Sequence, residues 1–116
     1  MDIVEALIGR TSVVTLSGPL DSASAPALSV RGMALCNTGI RTILIDLGQV
    51  SYLTSAGFRS FIAINRRAEQ AGVALALCGM NELVRDLCEV SGLRDSFHVY
   101  PDRAAALVAI DQADIA

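Results

Sequence analysis

Lysine is absent from this chain: all nine basic residues are arginine. A Walker-type phosphate lysine and Schiff-base catalysis are therefore both excluded. Tryptophan is absent as well, and aromatic residues make up only 4% of the chain, too few to build a stacking platform for single-stranded nucleic acid. A single histidine, His98, falls in a short predicted strand. No serine or cysteine at nucleophile-elbow spacing accompanies it, which argues against a hydrolase. The carboxylates Asp21, Asp46, Glu82 and Asp86 show no paired spacing that marks acid–base work, and the glycines form no GxGxxG. No catalytic residue or cofactor is therefore expected, and no metal site, since no CxxC or Cys/His spacing is present. No apolar run approaches the ~20 residues of a membrane span. The opening Met-Asp-Ile-Val-Glu lacks the basic-then-apolar order of a signal peptide. These absences predict a cytoplasmic, non-enzymatic protein that neither inserts in a membrane nor, with a formal net charge of −3, carries a nucleic-acid footprint.

What is present is a core. The 116 residues are 53% hydrophobic and 18% charged, with a mean hydropathy of +0.51. That suits one well-buried domain spanning residues 1–116, without linker or repeat. Cys36, Cys78 and Cys88 are each flanked by apolar residues. Buried thiols are the plain reading, and a redox pair between Cys78 and Cys88 is the sharper one.

The hydrophobic pattern alternates at short intervals. Asp2 to Ile8 and Ser12 to Ser17 read as strands around a Gly9-Arg10 turn. Pro26 lies where a helix would begin, and that helix should run to about Cys36, ahead of Asn37-Thr38-Gly39. Thr42 to Leu47 is a further strand. A helix follows from Ser55 to about Gln70. Its core stripe is Gly57, Phe61, Ile64, Ala68 and Ala71, and its wet face holds Arg59, Ala63, Arg66 and Gln70. Val73 to Cys78 reads as a fully apolar strand. A further helix presents Leu83, Val84, Leu87 and Cys88 on one face, with Asn81 near its cap and Gly92 past its end. Phe97 to Tyr100 is a short strand, and Pro101-Asp102 opens a last helix. The fold class is therefore α/β: one mixed sheet of about four or five strands with about four helices, mainly on one face.

The stretch from Asp46 to Arg59 is the most informative. It reads as a buried strand end, a sharp turn, and a helix opening on an exposed Ser55. A hydroxyl there can cap free backbone N–H groups, and a phosphate added at the same place would meet the positive end of the helix dipole. Asp46, at the strand end, is expected to accept hydrogen bonds from the turn after it.

Three motifs then carry a resemblance. Leu16-Ser17-Gly18-Pro19-Leu20-Asp21 with Ser24-Ala25-Pro26-Ala27-Leu28, then Ile45-Asp46-Leu47-Gly48-Gln49-Val50-Ser51-Tyr52-Leu53-Thr54-Ser55-Ala56-Gly57-Phe58, then Leu83 and Leu87 with Ser91-Gly92-Leu93, follow one another at the spacing of the STAS domain. The chain resembles the anti-sigma-factor antagonists of bacteria over about its whole length. The resemblance implies a protein partner that is both a serine kinase and an anti-sigma factor, and phosphorylation of the motif's serine, here Ser55. The aspartate that precedes this serine in the family is Thr54, which adds an alternative acceptor, and the second serine of the motif is Ala56. The partner-binding surface implied is Asp21, Ser22 and Ser24 with Thr54, Ser55, Ala56, Gly57, Phe58, Arg59 and Ile62. Phe58 and Ile62 are candidate apolar anchors there, although Phe58 fits the core equally well. A monomer or a weak homodimer is expected. The competing reading is a structural STAS subunit that steadies the ATPase of a phospholipid ABC transporter. A small-ligand sensor is a third class, for which no phosphate loop is visible.

Overall fold

The computed structural model describes residues 1–91 and 97–115. The predicted Gly92 helix stop, and Gly92-Leu93 of the third motif, lie outside the described residues. The elements are β1 (Asp2–Ile8), β2 (Thr11–Ser17), α1 (Ala25–Leu35), β3 (Thr42–Gln49), α2 (Ser55–Ala71), β4 (Ala74–Cys78), α3 (Glu82–Ser91), β5 (His98–Tyr100) and α4 (Arg103–Ile115). The strands form one sheet in the order β1-β2-β3-β4-β5. β1 pairs antiparallel with β2 through a tight turn, and all other neighbours run parallel. Parallel strands need crossovers, which α1, α2 and α3 supply.

Alternation along the strands sorts the core into two layers. Val14, Leu16, Ile43, Ile45, Leu47, Leu75 and Leu77 face α1, α2 and α3 together with Leu28, Phe61, Ile64, Val84 and Cys88. Val13, Leu44, Ala76 and Cys78 point through the other face onto Ala106 and Ile110 of α4. The unbroken apolar runs of β3 and β4 follow from this double burial. Three helices thus cover one face and one covers the other, as the pattern predicts.

The helix ends follow local chemistry. Gly72 takes a left-handed φ of 72° after α2, and its N–H reaches the carbonyls of Ala68 and Glu69. Val73 N–H closes on Ala68 O at 2.8 Å, completing a glycine stop that a side chain at this φ would strain. Asn81 Oδ1 accepts the Val84 N–H at 2.8 Å, and Asp102 Oδ1 accepts that of Ala105 at 2.7 Å. These bonds cap α3 and α4.

Two expected core positions are corrected. Ala71 is exposed, because it lies in the last turn of α2, where the chain leaves the sheet. Leu83 is 53% exposed. The seam of α3 against the sheet is the narrow Val84–Cys88 line, and Leu83 lies beside it rather than on it.

Cys78 and Cys88 occupy opposite faces of the sheet. A bridge between them would have to pass through β4, so the redox-pair reading fails on geometry. Burial pushes the Cys78 thiol up to about 12 and the Cys88 thiol up to about 11. Since the thiolate is the reactive form, a maleimide near neutral pH should label the folded protein slowly and the urea-unfolded protein rapidly. Equal rates in the two states would show that the cysteines are not buried as described.

Candidate functional site

The site forms where two loops leave neighbouring strands at the same end of the sheet. Gly18 N–H bonds Gln49 O, Leu20 N–H bonds Tyr52 O, and Thr54 N–H bonds Leu20 O, each at 3.0 Å. Leu20 and Leu53 form an isolated parallel bridge, and both are buried. The β2–α1 loop and the β3–α2 loop are therefore one stitched surface. A third element holds it from behind. Asn81 Nδ2 donates to Val50 O and Ser51 O, both at 3.2 Å, while its Oδ1 caps α3.

Helix α2 begins at Ser55, as the sequence predicts, but Ser55 is not its cap. Thr54 occupies the N-cap position in extended backbone, φ −105° and ψ 179°, and makes no side-chain capping bond. The first bond of the helix runs from Phe58 N–H to Thr54 O at 3.2 Å. Ser55 is the first helical residue. Its side chain is exposed and its hydroxyl has no hydrogen-bond partner among the described residues. The Thr54 hydroxyl oxygen is buried, also with no partner among the described residues. Both residues are typical cap types, and local sequence does not choose between them. The backbone does: Thr54 is extended and its carbonyl accepts the first helical bond, while its N–H is tied to Leu20 O.

The N–H groups of Ser55, Ala56 and Gly57 have no partner among the described residues, and a helix of 17 residues stands behind them. This is a concentration of positive potential with an exposed hydroxyl at its centre. Gly57 is buried, and the reason is steric. A Cβ there would lie 3.0 Å from Leu20 Cγ and 3.1 Å from both Leu20 Cδ2 and Leu20 O. The glycine lets the first turn of α2 press on the β2–α1 loop.

The remaining predicted site residues divide by role. Asp21 and Ser24 bind their own loop. Asp21 Oδ1 accepts the N–H groups of Ala23 at 3.0 Å and Ser24 at 3.2 Å, and Asp21 N–H donates to Ser24 Oγ at 3.0 Å. The Ser24 hydroxyl lies 2.9 Å from Pro19 O and 3.2 Å from Asp21 Oδ1, with one proton to give. The Ser24 backbone bond, aided by that of Ala23, holds the Asp21 carboxyl below its ordinary value. Ser22 is exposed between them. On α2, Ser55 and Arg59 are exposed, while Ala56, Phe58 and Ile62 are half-buried. Phe58 and Ala56 pack against the main core, so Phe58 offers a partner only part of its ring.

Asp46 does accept from the turn, taking the Gly48 N–H at 2.9 Å. Its other oxygen takes Arg103 Nε at 2.9 Å, and Arg103 also donates to Thr15 Oγ1 at 2.5 Å. Neither this arginine nor the Asn81 anchor is apparent from sequence spacing, since the contacts span 57 and 30 to 31 residues. Among the described residues no group of three His, Cys, Asp or Glu side chains gathers to hold a metal. No helix among them is long and apolar enough to cross a membrane.

Comparison with known proteins places this geometry. The family model described as STAS domain matches residues 4–106. A Bordetella bronchiseptica protein provisionally named anti-sigma factor antagonist BtrV is 31% identical over 113 residues, covering 97% of this chain and 94% of its own. The anti-sigma-B factor antagonist of Staphylococcus aureus is 30% identical over 86 residues, 74% of this chain and 80% of its own. The crystal structure of an anti-sigma factor antagonist from Mycobacterium paratuberculosis superimposes with a TM-score of 0.86 at 25% identity, covering 95% of this chain and 93% of that one.

Proposed function

The chain belongs to the STAS domain family, among its anti-sigma factor antagonists, and we propose that it is the phosphorylatable half of a partner switch. In this reading it binds a serine kinase that is also an anti-sigma factor. Binding uses the rim formed by the Pro19 to Ser24 loop and the first two turns of α2, and modification of Ser55 ends it. One observation carries the proposal: Ser55 presents an exposed, uncommitted hydroxyl at the head of a long helix whose first N–H groups are unpaired.

The physics favours a switch without refolding. A phosphate adds roughly −1.5 to −2 charges and three acceptor oxygens. Within the chain it meets free N–H donors and the positive dipole end, so the fold gains rather than loses. A partner packed on the same rim instead faces a bulky anion that must be desolvated. Thr54 is the poorer acceptor because its hydroxyl oxygen is buried.

Incubation with the serine kinase and ATP, followed by peptide mass spectrometry, tests this. A single phosphate on Ser55 is expected. Modification of Thr54 instead would move the acceptor. A kinase that binds without modifying either residue would overturn the switch and leave a scaffold role.

A further inference from the structure

β1 is an edge strand whose outer side pairs with nothing among the described residues. Exposed edges are usually guarded by charged side chains, lysine above all, by proline, by a bulge or by short length. Here the strand is seven residues long, Asp-Ile-Val-Glu-Ala-Leu-Ile, pairs in continuous register with β2 and contains neither lysine nor proline, and its charges are Asp2 at one end and Glu5, which is paired with Arg31. It also exposes apolar side chains, with Val4 61%, Leu7 69% and Ile8 50% accessible. On the α4 side of the sheet, Ile8 borders a groove completed by Thr11, Leu107 and Val108.

We propose that this edge is a self-association surface, on which a second copy of the chain adds its own β1 antiparallel to form a continuous ten-stranded sheet. The occupant is indicated by the sequence of the strand itself. A two-fold axis normal to the sheet pairs residues whose numbers have a constant sum, and directly opposed residues share a face. With Ala6 on the axis, Val4 lies opposite Ile8 of the second copy, Ala6 opposite Ala6, and Ile8 opposite Val4. The exposed apolar residues of the α4 side then cover one another. Just beyond the strand end the same register brings Asp2 opposite Arg10 of the second copy, an opposite-charge pair at each end. On the other face Glu5 lies opposite Leu7. The neighbouring register, with Glu5 on the axis, would oppose two carboxylates and is disfavoured. Glu5 is in any case held by Arg31 of its own chain, at 2.6 and 2.7 Å, and so brings a neutralised pair rather than a bare charge to the seam. The axis leaves the rim around Ser55 open in both copies, at opposite ends of the joint sheet.

Sedimentation equilibrium over a wide concentration range should show a reversible monomer–dimer equilibrium. Ala6→Lys should weaken it by roughly tenfold or more, by setting two lysines against each other on the axis. An unchanged melting curve for this variant would show that folding is intact. Register is read by cysteine trapping. Facing Cα atoms in an antiparallel pair lie about 4.5–5.5 Å apart, within disulfide reach. Ala6→Cys should therefore cross-link to itself on mild oxidation, while the parent chain should not. Val4→Cys alone should not cross-link to itself, since its copies are roughly 13 Å apart along the strand, yet it should cross-link when mixed with Ile8→Cys. A chain that stays monomeric at the highest concentration, or a Val4→Cys variant that cross-links as readily as Ala6→Cys, would overturn the proposal.

Discussion

Ser55→Glu is expected to weaken binding of the serine kinase at least tenfold, about 1.4 kcal/mol, while leaving the protein as stable as its parent. Ser55→Ala should bind like the parent. The stability half follows from the position of Ser55 as first helical residue rather than cap. Its exposed hydroxyl makes no hydrogen bond among the described residues, so removing it should change stability by no more than about 0.5 kcal/mol. A glutamate at the same place gains roughly 0.3–1 kcal/mol from the helix dipole, so the acidic variant should melt at or slightly above the alanine one. The binding half follows from the exposure of Ser55 beside the small, half-buried Ala56. A partner can approach the helix end closely there, and an added carboxylate would have to be stripped of water against it. Calorimetric titration of parent, alanine and glutamate forms against the kinase that modifies the parent separates the cases. Equal affinities for the alanine and glutamate forms would place the interface elsewhere and end the switch mechanism.

Much of this architecture is legible in the residues because local and global preferences agree. Pro26, Gly72, Asn81 and Asp102 mark helix ends through effects that act within a few residues. The period-3.6 pattern assigns α2, and the short unbroken apolar runs bounded by turn residues assign β3 and β4. Legibility fails where the deciding partner is distant. Whether Thr54 or Ser55 caps α2 depends on the path of the β3–α2 loop, which is tied through Leu20 to a loop more than thirty residues earlier. The exposure of Leu83 depends on how narrowly α3 sits on the sheet, which no pattern within α3 encodes. The Arg103 bridge to Asp46 and Thr15 joins the last helix to the middle of the sheet, and an arginine opening a helix carries no sign of that role. At the site, the motif predicts which residues gather, but not that Asp21 and Ser24 spend their polar atoms on their own loop. That loop is thereby pre-organised, and the rim exposes Ser22, Ser55 and Arg59 with the half-buried flank of Phe58 and Ile62.

Phe61→Ala should show the opposite behaviour to Ser55→Glu: a large loss of stability with the interface chemistry untouched. Phe61 is fully buried one turn beyond Gly57, and its ring meets that of Phe97 edge-to-face, with centroids 6.3 Å apart at 79°. Truncation removes the buried ring and this aromatic contact, and it leaves a cavity between α2 and the sheet. The cost is about 3–5 kcal/mol, against a total of about 5–15 kcal/mol for an ordinary domain. A fall of more than roughly 10 °C in the thermal midpoint is expected. Phe61→Leu retains most of the volume and should lose much less. Well below its midpoint, folded Phe61→Ala protein still presents Ser55 and the Pro19 to Ser24 loop, because the bonds that join the two loops run through Gly18, Leu20 and Thr54 backbone rather than through the ring. Its affinity for the kinase should then match the parent after correction for the folded fraction. An affinity that fell as steeply as that of Ser55→Glu would mean that the packing of α2 sets the shape of the rim. The loop hydrogen bonds would then not suffice to hold it.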